Sequence, residues 1–244
     1  LRLRRPPRST LAVTLLPYAA RSRSLRAVPP ARFKPLPITV GLVAAILFAL
    51  GAVPLWVMAW HGAVTLGGPF APADWHVHEM LFGYAGAVVA GFLFTAIPNW
   101  TGRMPTRGWP LMALAGLWLA GRLVVAGLLG LTPPAVMAVD GAFLAAVVAM
   151  AVIEVAAGRN WRNLMVVVPV LLLATANLVF HLEAMRDGAA DIGRRLGLAV
   201  LVFLVMLIGG RIIPSFTRNW LVQRGEARLP VPFGRYDGAC LAGA

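Results

Sequence analysis

Long apolar runs alternate with short polar gaps over most of the 244-residue chain. Six runs are long enough to cross a bilayer, which takes about 20 mostly apolar residues. They cover residues 36–60, 76–97, 109–131, 134–157, 164–182 and 196–214. Backbone exposed to lipid must satisfy its own hydrogen bonds, so such runs predict helices. Spanning strands would alternate apolar and polar positions over about ten residues, whereas these runs are solidly apolar. The pattern predicts an all-α integral membrane protein of about six transmembrane helices.

The gaps supply direction. Basic residues gather before the first run (Arg21, Arg23, Arg26, Arg32, Lys34), in the second gap (Arg103, Arg107), in the fourth (Arg159, Arg162) and after the sixth run (Arg218, Arg224, Arg228, Arg235). The first gap and the third have none, and the fifth offsets Arg186, Arg194 and Arg195 with Glu183, Asp187 and Asp191. Counting by the positive-inside rule puts both termini in the cytoplasm. Pro98, Pro110, Pro134 and Pro214 stand at or beside the expected helix ends, where a missing amide proton costs least. Trp60, Trp75, Trp100, Trp109, Trp161 and Trp220 fall at the expected interfaces, which favour indole rings. Ile97-Pro98-Asn99-Trp100-Thr101 and Ile213-Pro214-Ser215-Phe216-Thr217 form a short echo at the inner ends of the second and sixth runs.

Composition agrees with this partition. Apolar residues make up 59% of the chain and charged residues 13%, against roughly 25% charged in an ordinary globular domain. The net charge of +13 would suit nucleic acid, but its placement in gaps and termini is that of a membrane protein, so no nucleic-acid partner is expected. Residues 1–34 are read as a basic, disordered arm like a transit peptide or translated leader, 35–220 as the bundle and 221–244 as a cytoplasmic tail. The first residue is Leu and the last residues show no evident cap, so the chain is expected to be a fragment. One cysteine, Cys240, excludes an internal disulfide framework.

The polar groups inside the runs are few. The second run opens with Trp75-His76-Val77-His78-Glu79-Met80, and His61 and His181 end the first and fifth runs. With the orientation above, all four histidines of the chain map to one side of the membrane. Imidazole is a good neutral donor to iron, copper or zinc. Residues two apart on a helix lie about 200° apart, so His76 and His78 cannot serve one ion from a regular helix. Glu79 can share the His76 face, as ligand or as acceptor for an imidazole N–H. Taken singly, each histidine is better explained as a wet structural group at the headgroups than as a ligand, and His61 is the weakest candidate. Arg122 and Asp140, on helices joined by a short turn, are expected to form an ion pair; the alternative is an anionic ligand on Arg122. Asn177 shares the His181 face, and an interhelical hydrogen bond is its default use. Glu154 and Arg211 can snorkel to the inner surface. Gly83, Ala87 and Gly91 read as a close-packing stripe. No nucleotide-binding loop, serine elbow, H-E-x-x-H or C-x-x-C-H sequence occurs, and none of the polar groups by itself assigns a catalysed reaction.

The stretch Trp75-His76-x-His78-Glu79-Met80-Leu81-Phe82-Gly83 and the run from Ala96 to Arg103 closely resemble the NnrS family. Asn177-Leu178-x-x-His181-Leu182 and Gly210-Arg211-x-Ile213-Pro214-x-Phe216-Thr217 resemble its later motifs, and the similarity covers roughly residues 32–220. The resemblance implies a bacterial inner-membrane protein containing haem and copper that acts in denitrification and in protection against nitrosative stress. It implies about twelve spans of about 20 apolar residues each, so this chain would be the N-terminal half. It also implies that His76, His78 and His181 contribute to a metal or haem centre; Glu79 is kept as a further candidate ligand, Arg122 and Asn177 as candidate cofactor contacts, and nitric oxide and a redox partner as candidate partners. The competing readings are a transporter or channel with a polar path through Arg122, Asp140 and Asn177, and a structural partner in a membrane complex.

Overall fold

The computed structural model describes residues 36–159, 161–226, 228–231 and 233–243. The arm expected over residues 1–34 lies outside the described residues. All regular structure among the described residues is helical. The helices are α1 (Leu36–Trp60), α2 (Pro72–His78), α3 (Ala85–Thr101), α4 (Trp109–Val125), α5 (Pro133–Ala157), α6 (Leu164–Asp187), α7 (Asp191–Gln223) and α8 (Arg235–Ala242). A π-helical segment, Glu79–Tyr84, joins α2 to α3 without a break, giving one 30-residue second span, Pro72–Thr101. Five helices are long and apolar enough to cross a membrane, and α4 is a shorter apolar helix of 17 residues. The chain is thus an all-α membrane protein.

Two expected boundaries are corrected. The third apolar run was expected to be helical to residue 131, but α4 ends at Val125. Gly127 turns there with φ +79°, and its Cα packs so tightly on the Gly67–Gly68 backbone that a Cβ would overlap it. Only glycine meets both demands, and the contact is long-range. Pro214 was expected at the end of the sixth run, but it lies inside α7, which continues to Gln223. Pro54 and Pro169 are likewise interior to α1 and α6.

Successive helices reverse direction, so the bundle has two ends. At one, which we call the histidine end, α1 finishes, the second span starts, α4 ends, α5 starts, α6 ends and α7 starts. Glu183 near the end of α6 accepts the backbone N–H groups of Ile192 and Gly193 at 3.1 and 2.6 Å, a carboxylate on a helix N-terminus where the dipole favours it. At the opposite end, Arg103 beyond α3 pairs with Glu154 of α5 at 2.8 Å.

The second span is central and the most buried. It packs against α1, α5 and α7, and through the π segment against α4. Its small residues permit this: a Cβ on Gly41 of α1 would lie 2.8 Å from the Ala87 carbonyl oxygen and from the Gly91 Cα. Ala45, Ala52 and Ala59 continue the buried seam of α1 at seven-residue spacing, and small side chains of this kind let apolar helices approach closely.

Candidate metal centre

Four spans deliver polar side chains to one buried point near the histidine end. His78 and Glu79 come from the second span, Arg122 from the last turn of α4, Asp140 from α5, and Asn177 and His181 from α6. Each is at most 5% exposed. His78, Asp140 and His181 lie six to seven residues from the nearer ends of their spans, a depth of about 10 Å at 1.5 Å per residue.

Arg122 is the hinge of the network. One terminal nitrogen, Nη1, donates to Glu79 Oε2 and the other, Nη2, donates to Asp140 Oδ1. The expected Arg122–Asp140 pair is therefore present, with Glu79 as a second partner. The other oxygen of Asp140, Oδ2, accepts from Asn177 Nδ2 at 2.8 Å. It also lies 3.0 Å from His181 Nε2 and 3.2 Å from His78 Nε2. Asn177 Oδ1 stands 2.9 Å from His78 Nε2. One carboxylate oxygen thus faces two imidazoles and an amide.

With both imidazoles neutral, one guanidinium and two carboxylates leave the network one negative charge in surplus. Uncompensated charge is costly in a low-dielectric interior, so the arrangement favours a cation at the imidazoles, either a proton or a metal ion. Ligand atoms of His78, Asp140 and His181 all lie within 4.8 Å of one another. Two imidazoles and one carboxylate converging on a point form a donor set suited to a transition-metal ion with open positions. His78 Nδ1, Glu79 Oε1 and Arg122 Nε have no hydrogen-bond partner among the described residues, and Glu79 Oε1 is 3.6 Å from His78 Nδ1.

Aromatic rings wall the site. Phe70, dropped in from the loop between α1 and α2, has its ring centroid 4.9 Å from that of His78 and 5.0 Å from that of His181. Phe82 and Phe180 lie 5.2 and 5.3 Å from His78. The His78 and His181 rings are 5.0 Å apart, with the Asp140 carboxylate beside both Nε2 atoms. These residues fit a single ion. They do not fit a haem held between the two imidazoles, because the phenyl rings and the Asp140 carboxylate take up the space a macrocycle needs.

Local backbone geometry makes this convergence possible. Neighbours on an α-helix point about 100° apart, yet His78 and Glu79 both reach the network from the place where α2 opens into the wider π turns. Such segments recur at functional sites. Gly83, one π turn on, leaves room for the guanidinium: a Cβ there would overlap Arg122 Nη1 and come within 2.6 Å of Glu79 Oε2. The Gly83 carbonyl accepts a hydrogen bond from Trp118 Nε1 at 2.9 Å, tying α4 to the π segment one turn before Arg122.

The remaining candidates lie elsewhere. His76 stacks on Trp56 of α1 with ring centroids 3.9 Å apart, outside the network. His61 is exposed just beyond α1. Arg122, Asp140 and Asn177, proposed from sequence as the lining of a polar path, bond to one another in a closed knot. Sequence reasoning paired Asp140 with Arg122 but missed its place between the histidines. The available signal was an acid at membrane depth, which needs more than one partner. Phe70 and Trp118 carried no signal of their own, and Gly83 read only as part of a packing stripe.

A family model described as NnrS protein matches residues 42–244. No curated protein matches the chain, and no solved structure does.

Proposed function

The chain belongs to the NnrS family, whose members are membrane proteins of the nitric oxide response, and from that premise we propose that His78, His181 and Asp140 hold one redox-active metal ion. The observation that carries this reading is the meeting of two imidazoles and a carboxylate from three separate spans, with ligand atoms within 4.8 Å, in a buried and aromatic-walled site. Copper is the ion that the family resemblance implies, and neutral imidazole suits it. An ion held there would offer nitric oxide, a small apolar gas, a place to bind.

The residues around the ion have distinct tasks. Asn177 steadies the Asp140 carboxylate by donating from Nδ2 to Oδ2. Arg122 holds the Asp140 carboxylate from its far side and balances part of the charge. Glu79 neutralises Arg122 in turn. Phe70, Phe82 and Phe180 exclude water. We place the protein in the bacterial cytoplasmic membrane with the centre toward the outer face, acting in nitrosative-stress protection with a separate redox partner. Haem, if the protein carries it, is placed outside this cluster.

The test is metal analysis of the purified protein with optical and paramagnetic spectra. The expected content is about one ion per chain, lost on His78→Ala or His181→Ala and retained on His76→Ala. Metal content unchanged by both of the first two substitutions would sink the assignment. A Soret band that disappears with His181→Ala would replace the single-ion reading by a haem one.

A further inference from the structure

At the end of the bundle opposite the histidines, the two halves of the repeated Ile-Pro-x-aromatic-Thr motif face each other across a cleft of about 630 Å³. Asn99 and Trp100 line it from the second span, and Arg211, Ser215 and Phe216 from α7, with Phe92 on the apolar wall. Arg211 and Ser215 also border an adjoining cleft that contains Arg218. The metal centre uses none of these residues.

Charge and depth together define what the cleft accepts. Arg211 is half-buried, and no carboxylate lies in ion-pairing range of it among the described residues. Its recorded partner is the Phe233 ring, 5.7 Å from the guanidinium carbon. Arg103 at the same end is already neutralised by Glu154, so Arg211 carries the charge of the cleft. Twenty residues separate Asp191, the first residue of α7, from Arg211, a rise of about 30 Å, which is the thickness of the hydrocarbon core. Arg211 therefore lies at headgroup depth when α7 starts at the other surface. Above it toward the membrane centre the wall is apolar, and around it Asn99 and Ser215 offer hydrogen bonds.

We propose that this cleft binds an anionic phospholipid of the cytoplasmic leaflet. Its phosphate rests on Arg211 within reach of Asn99 and Ser215, Arg218 completes the positive field, and an acyl chain runs toward the membrane centre along Phe92 and Leu207. A fixed arginine beside a negatively charged leaflet is the electrostatic basis of such recognition, and the aromatic rings hold the site at the interface. The two motif copies thus form a single site.

Native mass spectrometry of the full chain, delipidated in neutral detergent and titrated with phosphatidylglycerol or phosphatidylcholine, tests this. The expected result is a preference for phosphatidylglycerol of about fivefold, falling to below about twofold in Arg211→Gln. Arg103→Gln should keep the preference, because its charge is already paired. Ala96→Trp, which fills the cleft and leaves Arg211 in place, should lower retention of both lipids, with size-exclusion profiles showing that each variant is folded. Equal binding of both lipids by the unaltered protein would overturn the proposal, as would an unchanged preference in folded Arg211→Gln. Saturation by soluble glycerol phosphate as effective as by the lipid would assign the arginine to a free anion and overturn it too.

Discussion

Arg122 is the residue on which the centre depends most. Its guanidinium joins Glu79 to Asp140, and all three are almost fully buried. Breaking a buried pair by removing one partner costs about 3–5 kcal/mol, because the other charge is left unpaired. Arg122→Met strands two carboxylates, so a loss in that range is expected in unfolding titrations of the micelle-solubilised protein. Converting the partners as well, in Glu79→Gln/Arg122→Met/Asp140→Asn, removes the stranded charges. That triple variant is expected to be more stable than Arg122→Met alone by about 1 kcal/mol or more, a failure of additivity typical of one network. Equal stability of the two would mean that the ion pairs contribute little. Much of this cluster was legible residue by residue: the histidines fell at one end by charge counting, and the Arg122–Asp140 pair followed from their shared depth. What could not be read was the far side of Asp140, because which helices abut α5 there is a matter of tertiary packing. The same holds for His76, equal to His78 in sequence and excluded from the network by its stack on Trp56.

Among the elements, the π segment Glu79–Tyr84 departs furthest from its sequence. Nothing in Glu-Met-Leu-Phe-Gly-Tyr distinguishes it from an ordinary helical stretch, and Gly83 read as one step of a packing stripe. In the fold Gly83 is the space that the Arg122 guanidinium fills. Gly86, three residues on, differs: a Cβ there would meet Phe143 at 3.4 Å and Leu144 at 3.5 Å, ordinary contact distances. The same substitution therefore has opposite signs at the two positions. Gly86→Ala is expected to be neutral or stabilising by up to about 1 kcal/mol through helix propensity. Gly83→Ala is expected to cost about 1–3 kcal/mol as an overpacked site and to weaken the Trp118 bond to the Gly83 carbonyl. Thermal melting of the two variants side by side, with indole fluorescence as the local probe, decides it; equal stability would show that the guanidinium does not need the space. The two boundary departures differ in kind. Gly127 stops α4 because a distant loop lies against it, and Pro214 is carried inside α7 although it removes a backbone donor. Local pattern predicted which runs are helical, and a contact with a distant loop decided where α4 ends.

For the whole molecule, the open quantity is direction across the membrane, and it follows from the two ends of the bundle. The histidine end holds Arg186, Arg194 and Arg195 among four acids, with Arg194 within 3.7 Å of Asp74 and paired to Asp191, and Arg186 paired to Asp187. The opposite end holds nine arginines (103, 107, 159, 162, 211, 218, 224, 228 and 235) against Glu154, Glu226 and Asp237. Basic excess near span ends sets orientation, so the opposite end is expected in the cytoplasm. The tail goes with it, since α8 packs on α7 and Phe233 lies under Arg211 and against Gly210. Cys240 is the only cysteine in the chain and is exposed on α8, so it reports direction with no engineered label. A membrane-impermeant maleimide is expected to leave Cys240 unmodified in right-side-out vesicles and to label it in inverted ones. The converse pattern is expected when Cys240→Ser is combined with His61→Cys, because His61 is exposed at the histidine end. Labelling of Cys240 from outside would reverse the bundle. The proposed metal centre would then lie in the cytoplasmic half of the bilayer, and the proposed lipid cleft would face the outer leaflet, so the lipid source would have to be exchanged.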